Sequence, residues 1–481
     1  MRTYPTNAAI AATLMFVSNA SLAQTTITRG PYLQLSTPDS ITIRWRTDSP
    51  TDSRVWYRTP DGSTDTSHTE PALTTEHIVT LTDLAPDTPY IYAVGSSAGI
   101  IVGDDEDHRF TTAPEPGSTR PVRVWVAGDS GTGQQSAIDV RDSFLANTTD
   151  RAADLWLMLG DNAYVIGSDY DHQIKLFDIY PSILRNTVLY PSIGNHDAFS
   201  SDSPTQTGPY FDIFTLPDQA QAGGIPSGTE AYYSFDFAHV HFVCLDTSET
   251  DHTPGSPMLQ WLESDLASTA QDWVIAFFHH PPYSDGHDSD MADDLIAVRE
   301  QIAPVLEAGG VDLVLNGHSH SYERSFLLNG HYGLSETLTP EMVLDPGDGR
   351  EDGDGAYIKP NPGIVPNSGT VYAVAGNAGQ LTGLKLEHPV MTASRFELGS
   401  MILDISANRL DARSINDQGA INDHFTIIKT SPCAIDLNND GDTDFFDLAQ
   451  FLQTQPDWNN DTSFDFFDIN AYLTEFVEGC P

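Results

Sequence analysis

The sequence predicts a multidomain chain of three folded parts: an N-terminal all-β sandwich, a central α/β domain and a small C-terminal α module. Three observations carry this. Residues 25–112 alternate apolar and polar side chains in short runs broken by Gly, Pro and Asp. From residue 122 onward, apolar runs alternate with amphipathic segments, the pattern of strands and helices in turn. The last 49 residues hold an acidic repeat with a 21-residue period. A length of 481 residues fits three domains at about 150 residues each. The expected boundaries are a leader at 1–23 and domains at 24–115, 116–430 and 431–481.

The first residues read as an export signal. Arg2 is a weak positive start, residues 8–17 are mostly apolar, and Ser21-Leu22-Ala23 offers small residues at a cleavage site. The chain is therefore expected to be secreted or extracytoplasmic, at a cell surface or in a periplasm. Such a location permits a disulfide, and Cys433 and Cys480, which bracket the tail, are expected to form it. Cys244 lies in an apolar run and reads as a buried free thiol.

In the first domain, Ile41-Thr-Ile43-Arg-Trp45, Arg54-Val55-Trp56-Tyr57, His77-Ile-Val-Thr-Leu81 and Tyr90-Ile-Tyr-Ala-Val94 supply the strands. Leu84-Ala-Pro-Asp-Thr-Pro-Tyr90-Ile-Tyr92, with Trp45 upstream, resembles a fibronectin type III domain. Residues 113–121 (APEPGSTRP) form a linker. The central domain offers strands at 122–127, 155–159, 188–193, 240–245, 273–278, 311–315 and 371–375. Helices are expected at 136–145 and 257–266, the latter with Leu259, Leu262 and Leu266 on one face. Such a pattern suits two packed sheets, or one large sheet, flanked by helices. The acidic, glycine-rich stretch 345–355 reads as a solvated insertion, with a calcium loop as the alternative.

The net charge is −46, from 22 Lys and Arg against 68 Asp and Glu. That balance excludes a nucleic-acid partner held by phosphate contacts. A hydrophobic content of 39% is enough to build cores, so a disordered acidic chain is also excluded. No apolar run is long enough for a membrane span.

Chemistry concentrates where central strands end. They run in turn into Gly128-Asp129-Ser130-Gly131, Gly160-Asp161-Asn162-Ala163-Tyr164, Gly194-Asn195-His196-Asp197, His279-His280-Pro281 and Asn316-Gly317-His318-Ser319-His320. Open α/β sheets place their sites at these carboxyl ends, and glycine lets the backbone turn off the strand. Five such ends are too many carboxylates and imidazoles to bury without a cation. Carboxylate, amide and phenol oxygens suit a hard ion, and imidazoles suit Fe, Zn or Mn, so the set matches a metal pair.

Taken in order, these motifs resemble the five motifs of the purple acid phosphatases, calcineurin-like metallophosphoesterases. Ser321-Tyr322-Glu323-Arg324, Tyr357-Ile-Lys359, Gly369 to Gly376 and the start Arg29-Gly-Pro-Tyr-Leu-Gln34 extend the likeness over about residues 29–429. The resemblance implies two packed sheets in the central domain. It also implies Fe(III) held by Asp129, Asp161, Tyr164 and His320, and a divalent Zn, Fe or Mn held by Asp161, Asn195, His279 and His318. Asp161 would bridge. Most of the superfamily has His where Gly131 stands, and Tyr164 is the family's iron-binding phenolate. His279 takes the ligand position, with His280 beside it as the alternative.

By the same resemblance, His196 binds phosphate and protonates the leaving group, and His287 contacts substrate. The implied activity is a secreted acid phosphatase that hydrolyses small phosphomonoesters by attack of a metal-bound hydroxide. The alternatives are a phosphodiesterase or nucleotide hydrolase with the same metals, or an inactive extracellular binding protein.

In the tail, Asp436, Asn438, Asp440, Asp442, Asp444 and Asp447 have the ligand spacing of an EF-hand-type calcium loop. Asp457, Asn459, Asp461, Ser463, Asp465 and Asp468 repeat it. The pair resembles dockerin type I modules, which implies bound Ca²⁺ and a protein or cell-surface partner. Residues 433–481 hold eleven acids and no Lys or Arg, so calcium would offset much of the tail's charge.

Overall fold

The computed structural model describes Met1 and residues 25–286, 289–360, 363–382 and 388–430, and in the tail residues 437, 445–456, 458, 464 and 466–478. The leader residues 2–23, Cys433, Cys480 and His287 lie outside the described residues. So do Asp436, Asn438, Asp440, Asp442, Asp444, Asp457, Asn459, Asp461, Ser463 and Asp465.

The N-terminal domain comprises β1 (Ile27–Gln34), β2 (Ile41–Arg58), β3 (Asp65–Leu81), β4 (Pro89–Ser96), β5 (Gly99–Gly103) and β6 (Arg109–Thr111). Where the pattern predicts separate sandwich sheets, the ladder runs continuously through two long strands. β2 pairs with β1 over Thr42–Thr47 and with β4 over Arg54–Arg58, and β3 follows it through both halves. The register of β2 and β3 shifts between Arg46 and Ser53, where the partner strand changes. Trp45, Val55, Val79, Tyr92 and Phe110 are buried between the halves.

The central domain begins with β7 (Val122–Ala127), β8 (Leu155–Met158), β9 (Val188–Pro191), β10 (Tyr233–Phe237), β11 (Val240–Cys244), β12 (Trp273–Phe278) and β13 (Leu313–Asn316). It continues with β14 (Tyr322–Ser325), β15 (Leu327–Leu328), β16 (Val343–Asp345), β17 (Tyr357–Pro360) and β18 (Val371–Ala375). It ends with β19 (Met391–Arg395), β20 (Gly399–Ser406), β21 (Arg409–Asn416) and β22 (Ile421–Thr430). Two seven-stranded sheets result, in the orders β17-β22-β21-β20-β7-β8-β9 and β10-β11-β12-β13-β18-β14-β19. β7, β8 and β9 are parallel in one sheet, and β11, β12, β13 and β18 in the other. These strands are apolar along their length because both faces are covered.

The sheets share one core. Tyr190 on β9 stacks on Phe235 on β10 with ring centres 3.8 Å apart. Helix Gln135–Asn147 covers the outside of the first sheet, with Phe144 stacked on Trp125 at 4.3 Å. Helix Pro257–Ser268 starts as its sequence dictates, with Ser256 accepting from the Leu259 amide and Pro257 in the first turn. Antiparallel β20, β21 and β22 extend the first sheet beyond the strands read from the sequence. Cys244 is buried and unpaired.

The N-terminal domain is fastened to the central one by polar contacts around a common core. Tyr32 Oη donates to the Ile213 carbonyl at 2.8 Å, and Gln34 Nε2 to the Leu189 carbonyl at 2.9 Å. Arg46 holds both carboxylate oxygens of Asp169 at 2.7 Å.

The acids of the 345–355 stretch are engaged within the protein: Asp348 caps the Arg350 and Asp354 amides, Glu351 pairs with Arg409, and Asp352 with His424. In the tail, helices Phe445–Thr454 and Phe466–Glu478 keep the 21-residue repeat. Asp447 accepts the Leu437 amide at 2.8 Å and Asp468 the Trp458 amide at 2.7 Å. Phe451 stacks on Tyr472 at 4.0 Å in a small separate core. No helix among the described residues is long and apolar enough to cross a membrane.

A buried ion pair ties the second sheet to its helix. His241 on β11 lies 2.7 Å from Asp236 and 2.9 Å from Asp265, and Asp265 also accepts Ser234 Oγ and the Ile225 amide. Burial alone would lower the imidazole pKa, but the two carboxylates raise it to about 9. A raised folded-state value stabilises the fold fully below the unfolded value near 6.5, and that contribution is lost as pH rises through about 9. Wild-type protein is therefore expected to lose roughly 3 kcal/mol more than His241→Gln between pH 6.5 and 10. Denaturant unfolding across that range checks it, and parallel curves would refute it.

Candidate metal centre

The strand ends of both sheets meet at one mouth, joined by backbone contacts. The Gly128 amide donates to the Ala375 carbonyl at 2.9 Å, and His279 Nδ1 donates to the Leu159 carbonyl at 2.8 Å. Asp129, Asp161 and His318 all have left-handed backbone, with φ of 55°, 53° and 68°. Non-glycine residues pay for this conformation, and such strain collects at functional sites. The neighbouring glycines are required by space. A Cβ at Gly160 would lie 2.4 Å from His279 Nδ1, and one at Gly317 would lie 2.5 Å from Asp129 Oδ2.

One group of side chains surrounds Asp129. Its Oδ1 accepts from Tyr164 Oη at 2.9 Å and lies 3.2 Å from His320 Nε2, which is itself 3.0 Å from Tyr164 Oη. Its Oδ2 accepts the His318 amide at 2.8 Å. A Cβ at Gly131 would stand 2.3 Å from the Asn162 carbonyl carbon, so the loop that carries Tyr164 packs its backbone directly on this glycine.

A second group surrounds Asn195. Its Oδ1 is 2.9 Å from His279 Nε2 and 3.2 Å from His318 Nδ1, and the two imidazole nitrogens are 3.3 Å apart. His279 Nδ1 donates toward Leu159, which turns Nε2 toward the Asn195 oxygen. Asp161 lies between the groups. Its Oδ1 is 3.5 Å from His279 Nε2 and accepts the His196 amide at 2.9 Å.

Burial would raise the Asp129 carboxyl pKa, but the His320 hydrogen bond and the fields of His279 and His318 hold it below the ordinary range. Burial, reinforced by Asp129 and Asp161, pushes the Tyr164 phenol well up. Both groups of donor atoms fit cations. A buried carboxylate, a phenol, an amide oxygen and imidazoles crowded at hydrogen-bond distance make a donor set of the kind that holds a cation, and His320 Nδ1 is buried without a hydrogen-bond partner. Asp129, Asp161 and His279 form one group able to hold a metal ion, and His279, His280 and His318 another.

The structure thus brings Asp129, Asp161, Tyr164, Asn195, His279, His318 and His320 together. His280 sits at the edge, with Nδ1 2.9 Å from Thr247 Oγ1 and its ring 4.5 Å from that of His318. His196 lies above the centre, its ring 4.5 Å from that of Tyr164.

Two supporting carboxyls escaped the sequence reading. Asp197 accepts the Asn162 amide at 3.1 Å, Asn162 Nδ2 at 2.8 Å and the Gly194 amide at 3.0 Å, locking two motif loops together. Burial, then Asp161, pushes its pKa to about 7. Glu323 is buried under the last loop, where it accepts from Ser321, Ser284 and the Asp285 amide, and burial raises it to about 7. Their only sequence signal is adjacency to motif residues.

Residues 122–322 match the family described as Calcineurin-like phosphoesterase, and residues 29–112 match Purple acid Phosphatase, N-terminal domain. An uncharacterized protein of Mycobacterium tuberculosis is 28% identical over 331 residues, covering 62% of this chain and 57% of the relative. A probable purple acid phosphatase of Arabidopsis thaliana is 26% identical over 310 residues, covering 61% of this chain and 68% of the relative. The purple acid phosphatase structure from yellow lupin (Lupinus luteus) seeds superposes with a TM-score of 0.63 at 18% identity, covering 83% of this chain and 75% of the other. That likeness is one of fold.

Gly194 tests how tightly the centre is built. A Cβ there would lie 2.1 Å from the Asp161 amide and 2.3 Å from its Oδ1. Gly194→Ala is expected to bind at least one metal equivalent fewer by elemental analysis, with turnover down about a hundredfold. Full metal content in the variant would contradict the geometry.

Proposed function

We propose that the chain is an exported dinuclear-metal acid phosphatase acting on phosphomonoesters. The carrying observation is the pair of donor groups described above, set around Asp129 and Asn195 with Asp161 between them. In this reading Asp129, Asp161, Tyr164 and His320 hold Fe(III), because carboxylate and phenolate favour a trivalent ion. Asp161, Asn195, His279 and His318 hold a Zn, Fe or Mn dication. Such a pair of ions, when bound, neutralises phosphate charge and makes a nucleophile available from water near neutral pH. Export rests on the leader-like pattern of the first residues, and calcium binding by the tail rests on its ligand spacing.

The protein's own part is positioning and proton delivery. His196 Nδ1 donates to the Val165 carbonyl at 2.6 Å, which fixes the ring and leaves Nε2 as the atom that faces substrate. Nε2 lies 3.9 Å from Asp161 Oδ2, so the proton donor sits beside the carboxylate that both ions would share. A proton held there passes to the ester oxygen as the P–O bond breaks. The chain's net charge of −46 opposes an anionic substrate, and the cations reverse the sign locally.

The test is hydrolysis of mono- and diesters from pH 4 to 8. Monoesters are expected to react faster, best on the acid side. His196→Ala should slow alkyl phosphates about a hundredfold and p-nitrophenyl phosphate far less, since a good leaving group needs no proton. Equal losses would remove His196 from proton transfer, and a preference for diesters would favour the diesterase alternative.

A further inference from the structure

If His196 protonates the leaving group, whatever surrounds His196 is what the leaving group touches. Three of the chain's exposed large apolar side chains stand there. Val165 is 64% exposed, Ile166 48% and Phe199 67%. The Phe199 ring lies 5.6 Å from that of His196, nearly perpendicular to it, and the Val165 carbonyl accepts from His196 Nδ1.

The rim is firmly held. Gly167, at φ +64°, closes the turn onto the His196 helix so tightly that a Cβ there would lie 2.6 Å from Asp197 Cα. The Gly167 amide donates to the Ala163 carbonyl at 2.9 Å, and Lys175 Nζ donates to the Tyr164 carbonyl. Apolar side chains kept in water on a fixed support, continuous with a polar centre, are the signature of a ligand surface. Among the described residues, the lysine beside this turn, Lys175, is turned to the Tyr164 carbonyl and paired with Asp171, and acids outnumber bases 68 to 22 along the chain. A leaving group carrying further phosphates or carboxylates finds no partner there.

We propose that Val165, Ile166 and Phe199 form the leaving-group subsite, and that the preferred substrates are phosphomonoesters of apolar, chiefly aryl, alcohols. The inference rests on the phosphatase reading. The experiment compares kcat/KM for 1-naphthyl phosphate and glycerol 1-phosphate in wild type, Phe199→Ser and Val165→Ser/Ile166→Ser/Phe199→Ser. It also measures calorimetric affinities for benzylphosphonate and methylphosphonate. The naphthyl-to-glycerol ratio and the benzyl-to-methyl affinity ratio should each fall about fivefold to tenfold in the triple variant, the amount that partial burial of one ring provides. Phe199→Trp should keep both ratios. Ratios that do not move overturn the subsite, including the case in which the patch serves only a protein contact and its loss alters self-association alone. If wild type hydrolyses neither ester, the phosphatase reading fails. The phosphonate affinities then still decide the subsite.

Discussion

A dense crowd of buried oxygen and nitrogen donors organises this molecule. At the mouth between the two sheets, Asp129, Tyr164 and His320 converge within 3.2 Å, and Asn195, His279 and His318 within 3.3 Å. So many polar and ionisable atoms are costly to bury without a cation among them. The left-handed backbone at Asp129, Asp161 and His318, and the glycines that admit no Cβ beside them, are the local costs of holding the atoms there. The stability to bear those costs comes from elsewhere, chiefly the fully buried parallel strands behind each loop.

The N-terminal domain contributes to the same end. Arg29 Nε reaches Gln173, and Arg46 clamps Asp169 with two bonds of 2.7 Å. The segment they grip carries Lys175, which bonds the Tyr164 carbonyl. A domain with no side chain in the centre thus steadies the loop that supplies its phenol. The same loop presents Val165 and Ile166 to solvent and orients His196 through the Val165 carbonyl. The Tyr164 phenol, the carbonyl that orients His196 and the exposed Val165 and Ile166 therefore share one short turn.

Much of this was legible in the sequence for a physical reason. Parallel strands covered on both faces leave continuous apolar runs, so 122–127, 273–278 and 371–375 stand out with their observed limits. Ligands that follow such runs after a glycine announce themselves. The partly exposed antiparallel strands β21 and β22 carry weaker patterns, and the place of β20 beside β7 depends on a partner hundreds of residues away. Asp197 and Glu323 act through hydrogen bonds to other loops, which spacing does not encode. The apolar rim depends on where Phe199 falls relative to a turn 33 residues earlier, counting from Ile166. In the tail, the 21-residue period survives as Asp447 with Asp468 and Phe451 with Tyr472.

The central claim is that both groups of facing donors exist to hold cations. Anomalous diffraction from crystals of the purified protein, with elemental analysis and visible absorption on the same sample, tests it most directly. The account predicts two transition-metal ions per chain, about 3.5 Å apart, one against Tyr164 and one against Asn195, with Asp161 between. It also predicts a visible charge-transfer band that is lost in Tyr164→Phe. A colourless protein with no iron, or ions bound away from these side chains, would contradict it.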